Sequence, residues 1–170
     1  MSSPVLSVVI LSWNTKDLTL ACLQALAADT PRFSREIVVI DNASEDGSAD
    51  AIAEVSGVRL VRNAENRGYS GGNNQGVAEA TGEFVCLLNS DTEVRPGALD
   101  TMVEFLQDNP DYGGVSPRLV NFDGSVQTAC MRFPGLWTAL VYDTILGKFP
   151  PGSWIDRHYH MRDFDHLHTR

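Results

Sequence analysis

A chain of 170 residues, 43% hydrophobic and 21% charged, has the size and composition of a single soluble globular domain with room for a sizeable core. Its net charge of −9 argues against a nucleic-acid backbone as partner, because phosphate affinity of that kind rests on Lys and Arg. It leaves open a single nucleotide held by a few donors and a cation.

The elements follow in chain order. Val8 to Leu11 is apolar, but no basic residue precedes it and Ser12-Trp13-Asn14-Thr15-Lys16 follows. Val5 to Trp13 is therefore a first strand and not a signal peptide. Leu18, Ala21, Cys22, Ala25 and Leu26 recur at helical spacing, with Asp17 placed to cap. Glu36 to Asp41 is a second buried strand, and Ser44-Glu45-Asp46-Gly47-Ser48 opens a helix reaching Val55. Val58 to Val61 is a short third strand, and a Gly/Asn-rich stretch feeds a helix over Tyr69 to Ala80. Phe84 to Leu88, five apolar residues bounded by Gly82-Glu83 and Arg95-Pro96-Gly97, reads as a central strand buried on both faces. Pro96-Gly97 starts a helix with Leu99, Met102, Val103 and Leu106 on one face.

Strands alternating with helices imply an α/β fold with a mostly parallel sheet and right-handed crossovers. Asp123-Gly124 marks a hairpin turn. Leu136 to Leu146 reads as one more helix, and Phe149 to Arg170 shows no period. No repeat or linker interrupts the chain, so residues 1–170 are taken as one domain, with 130–170 an acceptor-side segment or a tail. No stretch reaches the ~20 apolar residues of a membrane span. Cys22, Cys86 and Cys130 are scattered and odd in number, as in a cytoplasmic protein with reduced core thiols. Peripheral contact with the inner face of a membrane stays open.

Three strand ends carry polar residues: Ser12-Trp13-Asn14, Asp41-Asn42 and Asn89-Ser90-Asp91. Singly, each reads more readily as a turn or helix cap. In a parallel sheet they share one edge, where open α/β sheets bind ligands. Two carboxylates and several amides there suit a polar ligand with Mg²⁺ or Mn²⁺, a hard cation that takes carboxylate and phosphate oxygens, with Asp91 as its first protein ligand. A second constellation, Asn63 to Gly76, includes Arg67, Gly68 and Asn73. Its glycines let backbone approach a ligand at a helix start, and a guanidinium there suits a phosphate or a base carbonyl. It lacks the P-loop ending and the dinucleotide fingerprint. The four histidines, within His158 to His168, lack the spacing of a zinc site and read as a solvated tail. Trp137, Tyr142, Phe149 and Trp154 read as packing residues, with an acceptor or membrane face as the alternative.

Val8 to Asn14, Val38 to Ser48, Asn66 to Gly76 and Leu87 to Thr92, in that order, resemble the motifs of the large inverting glycosyltransferase family of GT-A fold, family 2, and especially its rhamnosyltransferase-like members. The resemblance covers residues 5 to 130. It implies a nucleotide-diphosphate-sugar donor, a dTDP- or UDP-sugar, and a saccharide or lipid-linked acceptor in cell-surface polysaccharide synthesis. It also implies that Ser12 to Asn14 and Asp41 line base and ribose, that Arg67 reaches the base, and that the helix after the Gly/Asn loop closes the pocket. Asn89-Ser90-Asp91 lies where the family's Asp-x-Asp motif holds ribose and metal, with Asn89 in place of the first carboxylate. The family's catalytic base comes from a later acidic motif that is absent here, and the setting of Asp156, Asp163 and Asp165 does not match it. The chain is therefore expected to be a truncated form, lacking the base and much of the acceptor half. Two other readings stay open: a non-catalytic nucleotide-binding or assembly module, and a nucleotidyltransferase. The latter would need a basic Gly-rich signature after the first strand, which Ser12-Trp13-Asn14-Thr15-Lys16 does not supply.

Overall fold

A four-stranded parallel sheet in the order β3-β2-β1-β4 organises the molecule. It is seen in a computed structural model that describes residues 3–121, 123–127, 131–133, 135, 136, 138, 150 and 152–159. The elements are β1 (Leu6–Ser12), α1 (Lys16–Ala28), β2 (Arg35–Asp41), α2 (Ser48–Ala53), β3 (Val58–Arg62), α3 (Gly68–Glu79), β4 (Phe84–Asn89), α4 (Ala98–Asp108) and α5 (Gly152–Tyr159). The residues fall into two compact units, Met1–Val115 and Ser116–Arg170. Among the described residues no helix is long and apolar enough to cross a membrane.

In the first unit the strand that is central and covered on both faces is β1. Val8, Val9 and Ile10 are fully buried between β2 and β4. On one face Leu6, Val8 and Ile10 meet Cys22, Leu23 and Leu26 of α1, Ile52 of α2, and Leu99 and Val103 of α4. Each such side chain contributes about 1.5–3 kcal/mol by leaving water. On the other face Val9, Val38 and Ile40 lie under α3.

Glycines allow that second contact. A Cβ on Gly76 would stand 2.2 Å from Val9 Cγ1, and one on Gly72 would stand 2.3 Å from Leu11 Cδ1. The helix therefore rests directly on the sheet, and its first turn comes close to the strand ends.

The apolar run at Phe84 predicts a central strand, and here the structure differs. Among the described strands β4 is an edge, and its residues alternate between half-buried and exposed, with Val85 41% and Leu87 53% exposed. Phe84, Cys86 and Leu88 join the core, while among the described residues the opposite side of β4 has no cover. Five consecutive apolar residues show that both faces are apolar and do not show that both are covered. At α1 the N-cap is Thr15, and Asp17 sits inside the first turn, where its charge favours the helix dipole. α2 opens at Ser48 and ends at Ala53, shorter than the pattern implies.

In the second unit the expected turn is present. Val120 bridges Val126 in antiparallel fashion, and Asn121 N donates to Ser125 O at 2.8 Å. α5 was not legible from the sequence, since two turns are too short for a helical period to stand out. Arg132 N donates to Tyr159 O at its end (3.0 Å), and Trp154 is exposed. The helix expected over 136–146 lies, apart from Leu136 and Thr138, outside the described residues, as do Cys130, Trp137, Tyr142, Phe149, Asp163, Asp165 and every histidine but His158.

At the amino ends of the strands, Glu36 closes the sheet. Its Oε1 accepts from Ser7 Oγ (2.6 Å), Thr81 N (2.7 Å) and Thr81 Oγ1 (2.8 Å). Partial burial favours the neutral acid, but these donors and Arg59 outweigh it and hold the carboxyl down at about 2. The charged form is thus favoured by folding, so its contribution is complete above about pH 4.5 and fades as pH falls towards 2. Glu36→Gln should flatten the acid limb of a stability-against-pH curve in that window, measured by urea unfolding. Gly76→Ala should lower stability by about 2 kcal/mol, because overpacking of up to ~3 kcal/mol exceeds the ~1 kcal/mol gain in helix propensity. Thermal unfolding should then fall by roughly 5 °C.

Candidate functional site

The parallel register brings the polar strand ends together. Ser12 pairs with Asp41, and Leu11 with Asn89, so the carboxyl ends of β2, β1 and β4 lie in a row. Asn42 N donates to Ser12 O (2.8 Å) and Asn63 N to Asp41 O (2.9 Å), carrying the row one residue further.

Asp41 is 3% exposed. Ala43 turns back through a positive φ of 64°, and Ser44 N donates to Asp41 Oδ2 at 3.1 Å. Oδ1 is buried and has no hydrogen-bond partner among the described residues. Buried acceptors are almost always satisfied, and leaving one bare costs about 1–3 kcal/mol. Asp41 thus carries an unused acceptor at the strand edge.

Asn42, 2% exposed, has no such spare capacity. Its Nδ2 donates to Asn66 Oδ1 (2.7 Å) and Gly68 O (3.4 Å), and its Oδ1 accepts from Asn63 Nδ2 (3.1 Å) and Arg67 N (3.0 Å). The side chain is a clamp on the 63–68 loop. Asn66 Oδ1 also takes Gly68 N (2.7 Å), and Gly68 turns at φ 72° into α3. The clamp leaves the Arg67 side chain exposed, and its guanidinium makes no hydrogen bond or ion pair with the described residues. Asn73 is buried and donates to Tyr69 O (2.9 Å) within its own helix.

Asn14, at φ 52°, likewise serves the protein. Its Oδ1 accepts from Glu45 N (2.8 Å) and its N donates to Ser44 Oγ (2.9 Å), which ties the loop after β1 to the loop after β2. Lys16 N donates to Asp46 Oδ2 (3.0 Å), and Ser48 bonds Asp46 Oδ1 through N and Oγ. The Ser48 hydroxyl, with these amides, holds the Asp46 carboxyl below its usual range. Trp13 stands half in solvent beside this junction.

The third strand end is held at two points. Asn89 Oδ1 accepts from Tyr69 OH (3.2 Å). Ser90 Oγ lies 3.2 Å from Thr15 Oγ1. Thr15 Oγ1 in turn lies 3.3 Å from Ser12 Oγ and 3.1 Å from Thr19 Oγ1, and those two are 3.0 Å apart. A threonine at an N-cap ordinarily takes a first-turn N–H, worth about 1 kcal/mol. Thr15 makes no such side-chain bond. Its hydroxyl reaches a residue 75 positions away instead.

Asp91, next in line, is exposed and makes no hydrogen bond or ion pair among the described residues. It lies near enough to Cys22 to act, after burial, in pushing that thiol up to about 11. Cys22 and Cys86 are both free, and burial raises Cys86 as well, so neither is a ready nucleophile. Among the described residues no three His, Cys, Asp or Glu side chains gather into a metal site. A cation at Asp91 would therefore draw most of its ligands from a bound molecule and water. An oxygen-only set with one carboxylate fits Mg²⁺ or Mn²⁺ bound through a diphosphate.

Of the residues singled out from sequence, Ser12, Asp41, Asn42, Arg67 and Gly68 gather on one stretch of the edge. Asn89, Ser90 and Asp91 are joined to it through Tyr69 and Thr15. Asn63, Asn66 and Tyr69 lie within the Asn63 to Gly76 constellation but were given no role of their own there, and Thr15 and Thr19 escaped sequence reasoning. The i, i+4 pair Thr15 and Thr19 facing an apolar helix side was the one available signal. Asn42→Asp keeps the acceptor but removes both donors and adds a charge beside Asn66 and Gly68. It should speed tryptic cleavage after Arg67 roughly tenfold or more under native conditions.

Solved structures share this fold. A mannosyltransferase from Pyrobaculum calidifontis, in complex with GDP-Man and Mn²⁺, superposes with a TM-score of 0.58 at 29% identity over 64% of this chain and 34% of its own. Staphylococcus aureus TarS residues 1–349, in complex with UDP-GlcNAc, shares the fold at 23% identity, with a TM-score of 0.57 over 62% of this chain and 32% of its own. Among curated proteins, the succinoglycan biosynthesis protein ExoO of Rhizobium meliloti is 31% identical over 71% of this chain and 34% of its own length. An N-acetylglucosaminyl-diphospho-decaprenol L-rhamnosyltransferase of Mycobacterium tuberculosis is 26% identical over 88% of this chain and 52% of its own. The chain thus spans about a third to a half of these relatives. The family model described as Glycosyl transferase family 2 matches residues 7–165, and with its α/β sheet of GT-A type the chain belongs to that glycosyltransferase family.

Proposed function

We propose that this chain binds a nucleotide-diphosphate-sugar at the edge formed by β2, β1 and β4. In the whole protein, it would support inverting, metal-assisted transfer of the sugar to a saccharide or lipid-linked acceptor of a cell-surface polysaccharide. The observation that carries the reading is the buried, unpartnered Oδ1 of Asp41. An acceptor held bare at that point suits a ring N–H of uracil, thymine or guanine. Arg67, fixed through its backbone and free at its guanidinium, suits a base carbonyl or a phosphate. Ser12, Trp13 and Asn14 border the same ligand, Asn14 by shaping the loop, and the first turn of α3 from Gly68 offers backbone N–H groups to an anion.

At the far end Asn89 and Ser90 face the ribose, and Asp91 would hold the cation beside the diphosphate. A bound Mg²⁺ or Mn²⁺ would supply charge neutralisation on the leaving diphosphate. The residues of this chain orient the donor so that the anomeric carbon is open to an acceptor hydroxyl from the opposite face. The base that takes the acceptor's proton is not among the residues assigned here. In this reading, acceptor activation belongs to the whole protein. A rhamnosyl donor such as dTDP-rhamnose is favoured by the likeness to the mycobacterial relative.

A second reading is a nucleotide-binding module without turnover. Efficient transfer of sugar to an acceptor by this chain alone would eliminate it.

Calorimetry with UDP, dTDP and GDP, each with and without Mn²⁺, tests the donor site. Asp91→Ala should abolish the metal-dependent part of the affinity, and Asp41→Ala should weaken binding of the preferred nucleotide about 10–100-fold, as for loss of a charged acceptor. Binding indifferent to Mn²⁺ and to both substitutions would refute the assignment.

A further inference from the structure

We propose that Thr15 is a positioning residue, whose hydroxyl fixes Ser90 so that the Ser90 oxygen meets the bound ligand as an acceptor and never as a donor. The proposal rests on the nucleotide-sugar reading and deepens it. Four hydroxyls, Ser12, Thr15, Thr19 and Ser90, are joined by four contacts of 3.0–3.3 Å. Each hydroxyl carries one proton to donate and two lone pairs to accept. Four contacts and four protons balance only if every hydroxyl donates once inside the cluster.

Ser90 touches the cluster through Thr15 alone, so its proton goes to Thr15. Ser12, Thr15 and Thr19 then donate around their triangle in one sense. Thr15 gives one bond and takes two, which saturates it. Ser90 Oγ keeps only lone pairs for anything outside. An oxygen of that kind accepts from a sugar hydroxyl or ligates a hard cation, and it has no proton for a phosphate oxygen.

The same contact immobilises the turn that carries Asp91. Asn89 is held by Tyr69 from α3, Ser90 by Thr15 from the start of α1, and Thr92 N closes the turn on Asn89 O at 3.2 Å. Asp91 is the member left without a partner among the described residues. The helix gives up a side-chain cap at Thr15 to make this bond, and a plain structural threonine at that position would keep it. The cation end of the site is thereby referenced to the end of β1, which Ser12 shares with the base end.

Two measurements on the full chain test this: calorimetry with UDP, dTDP and GDP with and without Mn²⁺, and amide exchange at Thr92. Thr15→Val keeps the shape and removes the hydroxyl. It should weaken Mn²⁺-dependent binding of the preferred diphosphate about tenfold, leave metal-free affinity within roughly twofold, and speed exchange at Thr92 roughly tenfold with the amides of β2 unchanged. Thr15→Ser should match the parent in all three. Equal loss with and without Mn²⁺, or unchanged exchange at Thr92, overturns the proposal. If the parent binds none of the three nucleotides, the nucleotide reading itself fails, and exchange at Thr92 alone decides the clamp. If Thr15→Val does not fold, Ser90→Ala breaks the same bond from its other end. The exchange result then decides: faster exchange at Thr92 upholds the clamp and an unchanged rate overturns it.

Discussion

The absence of side chains on one face of α3 sets the geometry on which everything else depends. At Gly72 and Gly76 the helix backbone lies against Leu11 and Val9, closer than any Cβ would allow. That depth brings the start of α3 level with the end of β2, within reach of a side chain as short as asparagine. Asn42 can then hold Asn66, Arg67 and Gly68 at once. Were the helix displaced outward by the thickness of a methyl group, those bonds of 2.7–3.4 Å would be lost together. The polar loop is thus positioned by apolar packing one layer away.

The polar residues at the sheet edge divide into two groups by what their atoms already do. Asn42 and Thr15 have their hydrogen-bonding capacity taken up by the protein, and Asn14 Oδ1 and Asn73 Nδ2 are likewise bonded within it. Asp41 Oδ1, the Arg67 guanidinium and the Asp91 carboxylate are not, among the described residues. The first group builds a frame from loops that would otherwise be mobile, and the second is presented on it. Such a division is what preorganisation requires, because a ligand then meets groups whose ordering has been completed by folding.

Much of the fold was legible in sequence because most of its strands hold apolar runs with polar ends, and its helices are separated by Gly, Asn and Asp. β1, β2, β3 and α3 follow their patterns closely. The misreading of β4 has a physical cause: apolarity of a face and cover over that face are different properties, and only Phe84, Cys86 and Leu88 find cover here. The division of labour at the site was hidden for another reason. Asp41 and Asn42 are adjacent short polar residues at one strand end, and nothing local separates the one with a bare acceptor from the one that is saturated. Whether an amide or hydroxyl here is satisfied depends on partners 21 to 75 residues away. The Thr15 to Ser90 bond is the extreme case, since each residue alone reads as an ordinary cap or turn.

The strand order has a consequence in chain entropy. Pairing β1 with β2 brings Leu6 to Arg35, a loop of 29 residues, whereas pairing β1 with β4 brings Leu6 to Phe84, a loop of 78. Closing the longer loop costs about 0.9 kcal/mol more by the logarithmic rule, and β4 recovers that through contact along one side only. The Ser12, Thr15, Ser90 chain of hydroxyls spans this seam. The Asp41 end and the Asp91 end of this edge therefore belong to strands joined across the longest closure among the described strands, and the integrity of the edge is tied to how firmly that one boundary stays shut.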